Sequence, residues 1–247
     1  MIKRINNIIA GIVILCILFS CKRDNSFLLK TSDPGGSAYV KVFIGAVNAN
    51  RNYVYADNNP WTGAPIVLGS TFPGNVSYAA ITPGTHSILI KDTLPTATQV
   101  PLTFSSTFDA GKYYTIFTYD TLNNVKYLVV TDNIVIPDDT TARVRFANLI
   151  FSSVAIPNVD VFSKNLNQNV FTNIAPAQVT DFLSFPSKNN DSLFVRATGT
   201  ATQLAVLSFT PDVKRSYTLV FKGRYQTSTG TASTSNPLRS LTFYTNR

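Results

Sequence analysis

Ala38-Tyr39-Val40-Lys41-Val42 and, 104 positions later, Ala142-Arg143-Val144-Arg145-Phe146 are the two stretches on which the fold turns. In each, small or aliphatic residues alternate with longer polar or aromatic ones, the period of a β-strand with two different faces. The recurrence has company. Ser87-Ile88-Leu89-Ile90-Lys91 returns as Ser192-Leu193-Phe194-Val195-Arg196 at a shift of 105, and Ala97-Thr98-Gln99 as Ala201-Thr202-Gln203 at 104. Tyr114-Thr115-Ile116-Phe117 returns as Tyr217-Thr218-Leu219-Val220 at 103. Blocks that recur in one order at nearly one shift are the mark of a duplicated unit. The expectation is two homologous domains, residues 38–139 and 140–247. Ile136-Pro137-Asp138-Asp139 is the joint, where Pro disfavours strand continuation and the two Asp suit a solvated turn.

Working outward, each unit reads as short strands between turn signals. In the first they fall at 39–47, 52–56, 66–68, 76–81, 86–91, 102–108, 113–119 and 126–132. In the second they fall at 143–149, 158–162, 178–185, 192–197, 205–209, 217–222 and 241–244. Gln226 to Asn236, QTSTGTASTSN, reads as a polar loop inside the last hairpin. Composition agrees. The 247 residues are 45% hydrophobic and 14% charged, enough apolar content for a core, and all 13 acidic residues are Asp. With no Glu and one Met among abundant Tyr, Phe, Val, Ile and Thr, an all-α fold is excluded. The expected fold class is all-β: two tandem immunoglobulin-like β-sandwich domains after a signal peptide and a tether.

The first twenty residues follow other rules. Lys3 and Arg4 precede an apolar run from Ile8 to Phe19, too short to cross a bilayer and suited to a secretory signal peptide. Leu18-Phe19-Ser20-Cys21 resembles the bacterial lipobox, whose Cys is acylated and becomes the mature amino terminus. That resemblance implies a signal peptide over residues 1–20 and a lipidated Cys21 opening a flexible tether over residues 21–37. Cys16 leaves with the signal, so Cys21 is the one thiol of the mature chain and no internal disulfide forms. The expected location is the cell envelope, anchored by lipid to a membrane, the outer one for preference.

Ala142-Arg143-Val144-Arg145-Phe146, Pro157-Asn158-Val159-Asp160-Val161-Phe162 and the Tyr-Thr-Leu block at 217 together resemble the repeats catalogued as domain of unknown function (DUF) 4397, found in bacterial cell-envelope proteins, often in tandem. Ile81-Thr82-Pro83-Gly84-Thr85 resembles that family's turn into a core strand. In the first unit Asn52-Tyr53-Val54-Tyr55-Ala56 departs from the Val-Asp-Val triplet. The resemblance spans residues 38 to 247. It implies a β-sandwich and brings no catalytic residue.

The residues themselves offer little chemistry. His86 is the single imidazole, on the core side of an alternating strand, so neither a His-led triad nor a His-rich metal site can form. Phosphate-binding glycine loops and nucleophile elbows are missing, so no cofactor, metal site or catalytic residue is expected. Two candidate contact surfaces remain. Trp61, in the turn-rich Asp57-Asn58-Asn59-Pro60-Trp61-Thr62-Gly63, with Tyr53 and Tyr55 just before it, suits sugar stacking or else a cap on the sandwich. The first unit carries five basic against seven acidic residues and the second eleven against four. Arg143 with Arg145, and Lys222 with Arg224 where the strand extends that far, each lie two apart on a strand and offer either a cationic patch to an anionic partner or a solvated face that aids solubility. Nucleic acid is disfavoured in an exported protein without a binding motif for it. The function expected is a non-catalytic binding or interaction module with a glycan or an envelope protein as partner. The alternatives are a structural spacer joining neighbours through strand edges and, with least support, an Asp-dependent glycosidase.

Overall fold

The computed structural model describes residues 36–74, 77–225 and 238–247. The signal peptide, Cys21, nearly all of the tether and the 226–236 loop lie outside the described residues.

Nine strands come from the first unit: β1 (Ala38–Ile44), β2 (Tyr53–Ala56), β3 (Asn59–Pro60), β4 (Thr71–Phe72), β5 (Ala79–Ile81), β6 (Gly84–Lys91), β7 (Leu102–Phe108), β8 (Tyr113–Tyr119) and β9 (Lys126–Thr131). They make two sheets, one in the order β4-β1-β8-β9 with β5 also on β1, the other β3-β2-β6-β7. Nine more follow: β10 (Ala142–Asn148), β11 (Val159–Ser163), β12 (Gln168–Ile174), β13 (Gln178–Val179), β14 (Leu183–Phe185), β15 (Asp191–Ala197), β16 (Gln203–Phe209), β17 (Ser216–Lys222) and β18 (Ser240–Thr245). Their sheets, β13-β10-β17-β18 with β14 on β10 and β12-β11-β15-β16, repeat the first pair position for position. The protein is all-β, its sheets packed as sandwiches. In each half one central pair is parallel, β1 with β8 and β10 with β17.

The alternation in the sequence dictates each core. From β1, Ala38, Val40, Val42 and Ile44 meet Val54, Ile88, Ile90 and Phe104 of the facing sheet. From β10, Ala142, Val144 and Phe146 meet Val159, Val161, Leu193 and Val195. Burying each large aliphatic side chain contributes about 1.5–3 kcal/mol. The same corner closes both sandwiches: the Tyr114 hydroxyl accepts the Asp109 N–H at 3.0 Å and the Tyr217 hydroxyl accepts the Asp212 N–H at 3.0 Å. Asp57 and Asn58, at φ 50° and 66°, form the two-residue turn of the β2–β3 hairpin, which needs left-handed backbone at both positions.

Three expectations change. β12 went unforeseen because Gln168, Asn169 and Asn173 leave only Phe171 and Ile174 buried on the core, too sparse for a strand pattern. The 66–68 strand reduces to one bridge, Ile66 with Asn52. The 178–185 strand breaks in two, because β13 pairs with the end of β10 and β14 with its start, and Asp181 and Phe182 lie between.

A third cluster lies between the sandwiches. Phe43 and Phe117 of the first and Ala147, Leu149 and Val220 of the second pack together, with Phe43 stacked on Tyr244 at 5.6 Å. The sheets of β1 and β10 are therefore covered on both faces, and six of seven residues in each of these two strands are buried.

Candidate functional site

The seam between these two sheets carries an ordered set of polar side chains, and their positions correspond across the halves. Lys41 and Arg145 hold the same place on β1 and β10, and Thr115 and Thr218 the same place on β8 and β17. Asp132 follows β9 as Asn246 follows β18, and Tyr78 precedes β5 as Phe182 precedes β14. The Lys41 ammonium sits 4.9 Å from the Tyr78 ring centre, and the Arg145 guanidinium 4.7 Å from that of Phe182.

Hydrogen bonds close a ring through this set. Arg145 Nη1 pairs with Asp132 Oδ1 at 2.6 Å. Its Nη2 donates to Thr115 Oγ1 at 3.3 Å and its Nε to Thr218 Oγ1 at 2.9 Å. Thr115 donates to Asp132 Oδ2 at 2.5 Å, and Thr218 to Asn246 Oδ1 at 2.6 Å. The Tyr78 hydroxyl donates to Asp132 Oδ2 at 2.6 Å and accepts from Asn246 Nδ2 at 2.8 Å. Buried charge survives only when paired and hydrogen-bonded, and Asp132 supplies the pairing. Burial opposes the charge on Arg145, but Asp132, Tyr244 and Tyr78 outweigh it and hold its pKa above the ordinary value. Lys41 fares differently. It donates to the carbonyls of Ser77 at 2.6 Å and Pro73 at 3.3 Å, and burial lowers its pKa to about 8 despite the pull of Asp132.

At the end of the seam where β1, β8 and β17 begin, Tyr78 and Asn246 of this network help to line a cleft of about 280 Å3. Tyr39, Ser77, Tyr78, Tyr113 and Ile134 line it from the first half, Asn246 and Arg247 from the second. Tyr39 stacks on Tyr113 at 4.8 Å between ring centres, and Tyr78 meets Tyr113 edge-on at 5.1 Å. Aromatic faces beside hydroxyl, amide and guanidinium groups offer stacking and directed hydrogen bonds together. Sequence reasoning missed this cluster because its three tyrosines lie in three separate segments; the signal present was the outward position of Tyr39 and Tyr113 on their strands.

The aromatic trio proposed from sequence does not converge. Trp61 rests on the first core, edge-on to Phe72 at 6.2 Å. Tyr53 and Tyr55 flank inward-facing Val54 on β2 and so face away from that core, half-buried beneath Arg51 at 5.7 Å and Lys91 at 5.1 Å.

The cationic patch is corrected more sharply. Arg143 and Arg145 share a face of β10, but that face is the seam and Arg145 is 1% exposed. Arg143 is half-buried and bonded to Thr141 and Ser184. Lys222 donates to Ser240, its pKa lowered by burial, and its tail lies against Gly69 of the first sandwich. Arg224 stacks over Phe151 at 4.9 Å. A strand in a sheet covered on both sides has no solvent face, so no common patch forms.

His86 is buried on the core side as expected, 2.6 Å from Asp57 through Nδ1 and 2.7 Å from the Thr82 carbonyl through Nε2. Neither nitrogen is left over for base catalysis. Asp160, the acid of the Val-Asp-Val triplet, accepts from Asn169, the Asn173 N–H, Thr198 and the Gly199 N–H, which makes it a clamp on two turns. Among the described residues no group of three or more His, Cys or Asp could hold a metal ion.

A family model described as Domain of unknown function (DUF4397) matches residues 38–162, just over half of the chain. The chain belongs to the DUF4397 family. The match runs through the first sandwich and into β11 of the second, ending on the Val-Asp-Val segment clamped by Asp160. No curated protein matches this DUF4397 chain in sequence. Among solved structures it is similar to the crystal structure of CBMbc (family CBM26) from Eubacterium rectale Amy13K in complex with maltoheptaose, at 13% identity and a TM-score of 0.25, covering 80% of this chain and 99% of that one. A likeness at that distance transfers no residue role.

Proposed function

We propose that this DUF4397 protein is a lipid-anchored protein of the cell envelope, a duplicated β-sandwich that binds a glycan at the seam of its two halves without catalysing a reaction. The observation that carries the binding reading is the tyrosine cleft, in which Tyr39 and Tyr113 present ring surface while Ser77, Asn246 and Arg247 bring polar groups to one opening. Ring stacking plus a few directed hydrogen bonds is the chemistry by which a protein holds a sugar. No Asp side chain is among the described residues that line this cleft. Duplication is supported by the repeated strand order and by the matched seam positions. Export and anchoring are supported by the apolar run ending at Cys21.

A glycan array followed by calorimetry on the best hit tests the site. Tyr39→Ala should weaken binding by about twofold to tenfold, in line with about 0.5–1.5 kcal/mol for an aromatic contact, and Trp61→Ala should leave it unchanged. Loss with Trp61→Ala and not with Tyr39→Ala would move the site to the first sandwich. For anchoring, Cys21→Ala should abolish metabolic lipid labelling and membrane retention in cell fractions; retention without label would end the lipoprotein reading.

A further inference from the structure

We propose that the opposite end of the seam is a second binding site, for an uncharged small molecule with a ring-bearing apolar body and one hydrogen-bond donor. This inference is independent of the glycan cleft. There, where β8 and β10 finish, a cavity of about 350 Å3 opens between the halves. Tyr119 and Asp120 line it from the first sandwich; Phe151, Val154, Ile156 and Pro176 are the chief apolar groups from the second.

Size, preorganisation and charge set the ligand class. An apolar cavity of about 150 Å3 holds a benzene ring, so this one takes roughly two fused or linked rings. Its walls are fixed in advance. Arg224 stacks 4.9 Å over Phe151 and pins that ring, while Asp120 and Ala177 hold left-handed backbone at φ 75° and 59°. Ala has no side-chain hydrogen bond to offset such a conformation, and strain of this kind gathers at binding sites. Val154 stands 55% exposed as apolar surface beside the opening. Asp120 supplies the polar end, but its Oδ2 already takes Lys126 at 2.9 Å and Asn124 at 3.0 Å. A cationic ligand would have to compete with Lys126 for the carboxylate, and an anionic one would bring its charge against the lone pairs of the remaining Oδ1. A neutral O–H or N–H donor is what the site accepts.

N-phenyl-1-naphthylamine, neutral, aromatic and bearing one N–H, is the probe; its fluorescence rises in an apolar environment. Titration of the full chain should show saturable binding at one site. Val154→Asp, a change at an exposed position, should weaken it at least tenfold with an unaltered thermal midpoint, and Ser152→Phe should weaken it by filling the cavity. The sulfonated analogue 8-anilinonaphthalene-1-sulfonate should bind at least tenfold more weakly, a gap that Asp120→Asn narrows. Tyr39→Ala should change nothing. Unsaturable fluorescence, affinity unmoved by both Val154→Asp and Ser152→Phe, or equal binding of the sulfonate would overturn the proposal.

Discussion

Lys41 and Arg145 stand at the same place in the two halves, both are buried, and both lie over an aromatic ring, yet Arg145 pairs with Asp132 while Lys41 donates to the Ser77 and Pro73 carbonyls. The difference arises across the seam. Asp132 reaches Arg145 of the opposite half, and the position corresponding to Asp132 holds Asn246, which cannot neutralise a cation. One buried ion pair, Arg145 with Asp132, thus joins halves that otherwise match closely. What this teaches is that two halves with one strand order differ in polarity through an acid-to-amide difference at Asp132 and Asn246, which leaves Arg145 firmly charged and Lys41 poised near pH 8.

The harshest way to break the comparison is Asp132→Ala, which takes the carboxylate from fully buried Arg145 and its field from Lys41. It should cost about 3–5 kcal/mol, read as a shift of the urea midpoint, and both halves should lose their signals in one transition. Replacing Asp132 by Leu together with Arg145 by Met should cost much less, because the fully buried guanidinium leaves with its carboxylate and Lys41, with a pKa of about 8, can release its proton. A loss below about 1 kcal/mol in Asp132→Ala would mean that water enters the seam.

The pH dependence of stability sharpens it next. Lys41 has a folded pKa of about 8 against an ordinary 10.5, so between those values the unfolded chain binds the extra proton and stability rises with pH. The full rise is about 3 kcal/mol. Burial raises the pKa of Tyr78 and Tyr244, so above about pH 10 the unfolded chain ionises first and stability falls. The profile should therefore peak between pH 9 and 10, and Lys41→Met should flatten its rising limb while leaving the fall. A wild-type profile without the rise would contradict the assignment of Lys41 as the strained partner.

The smallest effect concerns the turns that enter β8 and β17. Gly111 and Lys214 correspond, at φ 74° and 58°, and a left-handed Lys costs about 1–2 kcal/mol less whatever the freedom of Gly costs. Lys214→Gly should stabilise by about 0.5 kcal/mol, and Gly111→Ala should destabilise by about 1 kcal/mol, both seen as small shifts in thermal midpoint. Equal and negligible shifts would show that these turns relax.

Much of the fold was legible in short stretches. The alternation in 38–44 and 142–148 placed Val40, Val42, Val144 and Phe146 on a core, and the near-constant shift between blocks anticipated one strand order used twice. His86 read correctly as a core residue because its strand alternates without ambiguity. β12 was hidden by its Asn and Gln content. The site was hidden for another reason. Tyr39, Tyr78 and Tyr113 meet through β1–β5 and β1–β8 pairing, and Asn246 reaches Tyr78 across 168 positions, contacts that no local pattern encodes.

By itself, then, the sequence determined where the strongly alternating strands form, which of their residues lie on alternate faces, and that the two halves share a pattern, because strand period and turn chemistry are local. Only the tertiary structure decided what the second face of β1 and β10 meets. Lys, Arg and Thr at alternate positions are written identically for a strand facing water and for one facing a polar seam, since alternation separates two sides without naming what covers either. The packing of sheet on sheet turned those residues from a solvated patch into the buried lock between two sandwiches.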